Sequence, residues 1–312
     1  MEKSIDWLLE DENPSVRYYT LTDILGEKLS PSDIFYYEDL IRQSDPAVSI
    51  LSLQNQSGMW QEGNFTYNPL YRASFWQLYF LSLLGITKNT PAIEKAVALM
   101  VNDMQILSGA FPSKGRHFGN LVCLQGITLE MLLRFGYLDA SFTQSLIDFI
   151  TDIVFRNDFR CKYRQQLKCP WGAAKIIRAL NNIPLKKRSE NILKTMGKAT
   201  KFLLSHDIVE ANYPRKNEKS RQWFLFGFPR GFQSDILEIS QILVDAGCSK
   251  QNANLKNALK YINDKRLEDW KWKLEFSLNG KMLVDIEKKN KPSKWITYFA
   301  LKTLFKSKFL SI

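Results

Sequence analysis

The chain has 312 residues, of which 45% are hydrophobic and 13% are aromatic, and its formal net charge is +11. That length and composition suffice for one or two domains with a packed core. The longest apolar run, roughly residues 75–86, is too short to span a bilayer, and four cysteines in a chain this long do not suggest a disulfide framework. We therefore expect a soluble or peripheral protein in a reducing, cytoplasmic setting.

Charge is distributed unevenly along the chain. Up to Asp45 there are eleven acidic and four basic residues, a net charge of −7, so the remainder carries +18. This contrast predicts an acidic N-terminal helical segment (1–45) followed by a larger domain (46–312). The positive charge of the larger domain raises the question of an anionic partner, such as a nucleic acid, a lipid surface or a phosphorylated substrate.

The first 45 residues predict short helices. Residues 5–10 form the first, and Asn13 and Pro14 then mark a helix start, because proline suits the first helical position and asparagine caps free amides. The apolar residues that follow give a mostly helical stripe that ends at Gly26. Another helix is predicted for 32–43, directly after a proline.

Beyond residue 46 the chain repeats one plan with a period of about 50 residues. An aromatic residue in each unit follows one predicted helix and precedes another. Trp60, Phe111 and Phe159 are separated by 51 and 48 residues, and Trp270 follows 111 residues later, about two further periods. Two helices per unit of this length predict stacked helical hairpins.

The two helices of each unit differ in polarity. The second helices are apolar on nearly every side: 121–135, 171–180 and 236–244. The first helices have a clear polar face: 93–106, 142–154 and 254–263. A helix that is apolar all round is buried on most sides, so we place the second helices inside and the first helices outside. The predicted fold is all-α, an α/α toroid of about five helical hairpins plus the short N-terminal helical segment.

One motif resembles a known superfamily. Gln54, Gly58 and Trp60 match the Gln-x-x-x-Gly-x-Trp repeat of squalene-hopene cyclases and other prenyltransferase-like toroids. The resemblance covers roughly 46–312 and implies that the glutamine caps a helix end and that the tryptophan stacks on it. It also implies an isoprenoid or lipid-like substrate in a central cavity.

Two catalytic motifs of that superfamily are missing from the sequence. The Asp-x-Asp-Asp motif with which class II terpene cyclases protonate their substrate does not occur. Neither His117 nor His206 follows the Asp-x-Cys pair with which protein prenyltransferases bind zinc. Standard cyclase and standard protein prenyltransferase chemistry are therefore both disfavoured.

Three chemically active side chains share one position in the repeat, 12 or 13 residues before the end of an inner helix: Cys123, Cys169 and Asp235. Cys161 and His117 belong to loops that enter those helices. Thiolates and imidazoles are ligands of zinc. One interpretation therefore takes Cys123, Cys161, Cys169 and His117 as zinc ligands and Asp235 as a catalytic carboxylate. The alternative is that the cysteines pack as small apolar residues and that Asp235 only caps a helix.

Aromatic residues at the starts of the predicted inner helices are candidates for substrate binding: Trp76, Trp171, Phe228 and Trp295. Their ring faces suit an isoprenoid or lipid chain and can stabilise carbocations. Ordinary core packing is the alternative. The basic, apolar stretch 295–310 suits either peripheral membrane contact or packing as the last inner helix.

Two hypotheses of different class remain open. The first is an enzyme of the prenyltransferase and cyclase type that acts on an isoprenoid or lipid-like substrate. The second is a non-catalytic helical-repeat module that binds protein or nucleic acid through a basic surface. The residues proposed for that surface are Arg156, Arg160, Lys162, Arg164 and Lys168.

Overall fold

The protein is all-α. The computed structural model describes residues 1–112, 121–164, 166–215 and 218–311. Within these ranges it has thirteen α-helices and three short 3-10 helices, and extended backbone pairs only in isolated bridges. The predicted all-α class is thereby confirmed.

The α-helices in chain order are α1 (Glu2–Leu8), α2 (Pro14–Asp23), α3 (Pro31–Gln43), α4 (Asp45–Ser52), α5 (Ser74–Leu84), α6 (Pro91–Met104), α7 (Val122–Arg134), α8 (Ser141–Asn157), α9 (Pro170–Asn181), α10 (Glu190–Leu204), α11 (Ile236–Asp245), α12 (Ala253–Asp264) and α13 (Lys294–Lys306). The 3-10 helices span Lys162–Arg164, Leu185–Lys187 and Arg221–Phe224. In the described ranges, none of the helices combines the length and the apolar character needed to cross a bilayer.

Local sequence signals set the helix ends. The side chain of Asn13 accepts a hydrogen bond from the Val16 amide (3.1 Å), and Pro14 occupies the first position of α2, as predicted. Helix α5 ends where Gly85 takes a left-handed backbone conformation with a φ of 95°. The turn at Gly85 separates α5 from α6, the outer helix that follows it.

Five buried helices lie side by side in chain order. Helix α5 contacts α7, α7 contacts α9, α9 contacts α11 and α11 contacts α13. Every residue of α5 is buried, and so are nearly all residues of α7, as expected for helices that are apolar on most sides. Helices α6, α8, α10 and α12 bury one face each and expose the other.

The closest helix contact lies between α7 and α9. A methyl group placed on Gly126 would lie 2.6 Å from the carbonyl carbon of Lys175, which is closer than real side-chain contacts allow. Only glycine therefore lets the two backbones approach to this distance. The short distance brings the polar side chains of α7 within reach of those on α9.

The N-terminal helices pack against the last helix. The ring of Tyr19 in α2 stacks on Tyr298 in α13, with 5.9 Å between the ring centroids. The ammonium of Lys294 lies 2.9 Å from a carboxylate oxygen of Glu10. A methyl group on Gly85 would come within 2.9 Å of the Tyr19 hydroxyl, so α2 also touches the end of α5.

The repeated aromatic residues tie each outer helix to the loop that follows it. In three units an aromatic side chain donates a hydrogen bond to a backbone carbonyl ten residues earlier: Trp60 to Ile50 (2.6 Å), Tyr213 to Leu203 (2.5 Å) and Trp272 to Ile262 (2.7 Å). The last unit is therefore marked by Trp272 and not by Trp270, the residue predicted from the period. Trp270 instead has a positive φ of 59°, as Gly58 does at the equivalent place.

Two glutamines link consecutive outer helices. The amide of Gln54 donates to the carbonyls of Gly58 and Ala92, both at 3.0 Å, and Ala92 is the second residue of α6. Gln105 makes the same pair of bonds, to Gly109 (3.1 Å) and to Phe142 at the start of α8 (2.8 Å). Gln105 thus completes a second copy of the motif that the sequence analysis missed.

Candidate functional site

A cavity of about 510 Å³ lies at the amino ends of the buried helices, and we name it the amino-end cavity. Its described wall consists of Tyr67, Leu121, Cys123, Cys161, Tyr163, Arg164, Cys169, Pro170, Trp171, Ala211, Tyr213, Arg215, Glu218, Lys219, Ser220, Trp223 and Phe232. The wall is formed mainly by aromatic rings and thiols. Such a surface suits an apolar ligand of small-molecule size.

The structure brings three of the predicted cysteines to this one cavity. Two backbone hydrogen bonds close the loop ahead of α9: the Cys161 amide donates to the carbonyl of Leu167 (3.1 Å), and the Cys169 amide donates to that of Phe159 (2.9 Å). The loop places the two thiols together. A hydrogen bond from the Cys169 thiol, helped by the backbone amides after Cys161, lowers the pKa of Cys161 to about 6. Cys161 is therefore largely a thiolate at neutral pH.

The other two thiols of this cavity stay protonated. The hydrogen bond to Cys161 and burial raise the pKa of Cys169 well above its ordinary value, and burial raises the pKa of Cys123 to about 12. In the described ranges, no group of three or more His, Cys, Asp or Glu side chains is arranged to hold a metal ion. His117, the fourth predicted zinc ligand, lies outside the described residues.

The polar groups of the amino-end cavity are mainly basic. Three basic residues and one acidic residue contribute to its wall: Arg164, Arg215, Lys219 and Glu218. Two buried donors, Nε of Arg164 and the indole nitrogen of Trp171, have no hydrogen-bond partner among the described residues. A ligand with an acceptor or anionic group would satisfy them.

Asp235 caps a helix. Its carboxylate accepts hydrogen bonds from the backbone amides of Glu238 (2.7 Å) and Gly227 (3.0 Å), and it lies 3.6 Å from the Nε of Arg230. Burial raises the pKa of Asp235, and the positive charge of Arg230 opposes that rise. Asp235 does not belong to the described wall of the amino-end cavity. Its observed contacts are those of an N-cap.

The four aromatic candidates fall in three different places. Trp171 lines the amino-end cavity. Trp76 is fully buried behind that wall, with its ring edge-to-face on Phe232 at 5.0 Å. Phe228 and Trp295 stack on each other at 4.2 Å and line a different cavity. The structure therefore separates the residues that the sequence analysis had assigned to one site.

That second cavity lies mainly at the carboxyl ends of the buried helices, and we name it the carboxyl-end cavity. It has two parts, of about 300 and 380 Å³. Both parts are lined by Arg134, Arg178, Asn182, Gln241 and Lys302. Its wall is thus rich in guanidinium, amide and ammonium groups, whereas that of the amino-end cavity is mainly apolar.

A buried cluster of ion pairs lies among α7, α9 and α11. Arg178 is central to it: its Nε lies 2.7 Å from Glu130 and its Nη1 lies 2.8 Å from Glu238. Lys175 approaches Glu238 to 2.8 Å, and Arg134 approaches Glu130 to 2.8 Å. These contacts join three neighbouring helices through charges that are removed from water.

The charges of this cluster stabilise one another. Burial acts to raise the pKa of Glu238, but Lys175 and Arg178 hold it well below its ordinary value. Burial likewise acts on Glu130, and its two arginine neighbours lower its pKa below the usual range. Both carboxyls are therefore ionised at neutral pH. The sequence analysis missed this cluster, although isolated charges on otherwise apolar helices signal internal pairing.

Two residues proposed for a basic binding surface are paired with carboxylates. Arg156 lies 2.7 Å from Asp152, and Lys168 lies 2.5 Å from Asp158. Such pairs reduce the positive charge that this part of the chain offers to a polyanion. Comparisons with models of known protein families and with curated proteins give no match to this chain. Its function is therefore inferred from the two cavities and the groups that line them.

Proposed function

We propose that this chain is a divergent α/α toroid of the prenyltransferase and squalene-hopene cyclase type, built from about five helical hairpins. The serial contacts from α5 to α13 support this arrangement. So do the contacts of Tyr19 with both α13 and Gly85, because they place α2 between the last buried helix and the first. The two glutamine links between outer helices agree with the role that the resemblance gives to that motif.

In this proposal the amino-end cavity binds an isoprenoid or another lipid-like molecule with an anionic end. The observation that carries the proposal is a 510 Å³ cavity whose mainly apolar wall also holds Arg164, Arg215 and Lys219. The aromatic surface would hold the hydrocarbon chain, since burying it removes apolar area from water. The basic groups and the free Trp171 donor would hold the anionic end.

Titration with farnesyl diphosphate, farnesol and dodecanoate tests this function. Trp171 and Trp223 line the cavity, so tryptophan fluorescence should report binding, and calorimetry would give the affinities. We expect all three compounds to bind and the diphosphate to bind most tightly. The variant Arg215→Gln should weaken diphosphate binding by about tenfold, weaken dodecanoate binding as well, and leave farnesol binding unchanged, because farnesol carries no charge.

Two further variants make the result specific to this cavity. Cys123→Trp should place a bulky ring in the cavity and weaken binding of all three compounds, provided that circular dichroism shows the variant to be folded. Lys194→Gln removes an exposed charge that pairs with Glu190, and it should leave every affinity unchanged. Failure of folded wild-type protein to bind any of the three compounds would overturn the proposal.

A further inference from the structure

The charges around the carboxyl-end cavity do not balance. Among the described residues, the ion pairs of Arg134, Lys175 and Arg178 involve two carboxylates, those of Glu130 and Glu238. This leaves an excess of one positive charge in the cluster that borders the cavity. The remaining lysines of the wall are neutralised, because Lys302 pairs with Asp23 and Lys306 pairs with Asp245.

A third arginine adds to the excess. Arg188 lines the cavity with Arg134 and Arg178. Its guanidinium donates to the backbone carbonyls of Ile183 (2.8 Å) and Asn181 (3.1 Å), and in the described ranges it forms no ion pair with a carboxylate. The carbonyls at the end of α9 offset part of this charge, since a helix carboxyl end is partly negative. A full negative charge would be a stronger partner for three guanidiniums than those carbonyls are.

An unpartnered donor also lines this cavity. Trp295 is 1% exposed, and its indole nitrogen has no hydrogen-bond partner among the described residues. Two side-chain oxygens are also buried without a partner among the described residues: that of Gln241, which lines both parts of the cavity, and that of Asn181, which lines the part bordered by Arg188. A buried N–H group or amide oxygen that has no hydrogen-bond partner destabilises the folded state. These atoms therefore indicate a polar ligand with both acceptors and donors.

We propose that the carboxyl-end cavity is a second binding site, for a small phosphate monoester. The phosphate would lie on Arg134, Arg178 and Arg188, because guanidinium groups match phosphate oxygens in charge and in geometry. The Trp295 indole would donate to an ester or phosphate oxygen. Hydroxyl groups of the ligand would meet the free oxygens of Gln241 and Asn181. This site does not depend on the lipid proposal, because it has a different wall.

Calorimetric titration of the full chain with inorganic phosphate and with glycerol 3-phosphate, at constant ionic strength, tests the site. We expect both to bind, the ester at least as tightly as phosphate. The variant Arg188→Gln should weaken both by about tenfold. Trp295→Phe keeps a ring against Phe228 but lacks the N–H, and it should weaken them about three- to tenfold.

The matched control is Arg42→Gln, which removes an exposed arginine of α3 that pairs with Asp39 and lines neither cavity, and it should leave both phosphate affinities unchanged. Circular dichroism would establish that each variant is folded. The inference is overturned if neither compound binds wild type, or if Arg42→Gln weakens them as much as Arg188→Gln does. Weaker binding of the ester than of phosphate would overturn the assignment to a monoester. Farnesol binding reports only on the amino-end cavity, so the farnesol titration shows whether a failure concerns this site or the lipid site.

Discussion

The two ends of the same buried helices differ in chemistry. At the amino ends, Trp171, Trp223 and Phe232 form a mainly apolar wall with three thiols. At the carboxyl ends, guanidiniums and amides converge beside aromatic rings such as Trp295. The ion-pair cluster of Arg134, Lys175, Arg178, Glu130 and Glu238 borders the carboxyl-end cavity through its two arginines. Helices α7 and α9 contribute to both walls, so the cluster that joins them fixes both cavities.

The largest effect should come from breaking the cluster itself. Glu238→Gln keeps the shape of the side chain but leaves Lys175 and Arg178 without their shared buried carboxylate. Removal of one partner from a buried ion pair costs about 3–5 kcal/mol, so we expect a loss of that size in the free energy of unfolding. Urea denaturation followed by circular dichroism would measure it.

An exposed ion pair provides the control for that experiment. Glu190 and Lys194 lie 2.8 Å apart, with 80% and 58% of their side chains exposed. Glu190→Gln should therefore cost less than about 1 kcal/mol. Equal, small losses in the two variants would show that the buried ion pairs of Glu238 do not stabilise the packing of α9 against α11.

A smaller effect should come from separating α7 and α9. Gly126→Ala places a methyl group 2.6 Å from the Lys175 backbone, so the helices must shift, and we expect a loss of about 1–3 kcal/mol in the free energy of unfolding. Gly197→Ala is the matched control, since this helical glycine has nothing within 4 Å of the added methyl. It should stabilise the protein by about 0.5–1 kcal/mol. Thermal denaturation of both variants would reveal the opposite signs.

The smallest effect concerns the thiols of the amino-end cavity. With a pKa of about 6, Cys161 should react with iodoacetamide at pH 7 about two- to threefold faster than an ordinary cysteine, since its larger thiolate fraction outweighs its lower nucleophilicity. Cys123, with a pKa of about 12, should remain unmodified. Peptide mass mapping across a pH series would locate the midpoint of the Cys161 rate near pH 6.

Removal of the neighbouring thiol tests the cause of that reactivity. In Cys169→Ala the hydrogen bond to Cys161 is lost, so the midpoint should move up towards the ordinary pKa of a cysteine thiol. A midpoint that stays near pH 6 in this variant would contradict the proposed cause. Cys248, whose pKa is raised by burial, serves as an internal reference in the same digest.

The helices could be predicted from the sequence because their signals are local. Asn13 and Pro14 start α2, and Gly85 ends α5, through interactions within a few residues. The period also located the repeat, but it could not distinguish Trp270 from Trp272. Trp272 is identified by its hydrogen bond to a helix carbonyl ten residues earlier, and that bond forms only in the folded loop.

The candidate site was predictable in part. The repeat register correctly brought Cys123 and Cys169 to one end of the buried helices, and both line the amino-end cavity. The repeat also assigned Trp295 to the same end of the helices, but its ring lines the carboxyl-end cavity. The position of a residue in the repeat predicts its height along the helix, not the direction of its side chain. The pairing of Arg178 with Glu130 depends on the packing of α7 against α9, which the sequence pattern of either helix alone does not contain.

The contact between the N-terminal segment and α13 joins residues that are synthesised at different times as well as far apart in sequence. Glu10 and Lys294 are 284 positions apart, and Asp23 and Tyr298 are 275 apart. At a ribosomal rate of about 5–20 residues per second, α2 leaves the exit tunnel on the order of 15–60 s before its partner is made. During that interval Tyr19 lacks the rings of Trp295 and Tyr298 that cover it in the folded chain, so the N-terminal segment completes its packing only after synthesis of α13.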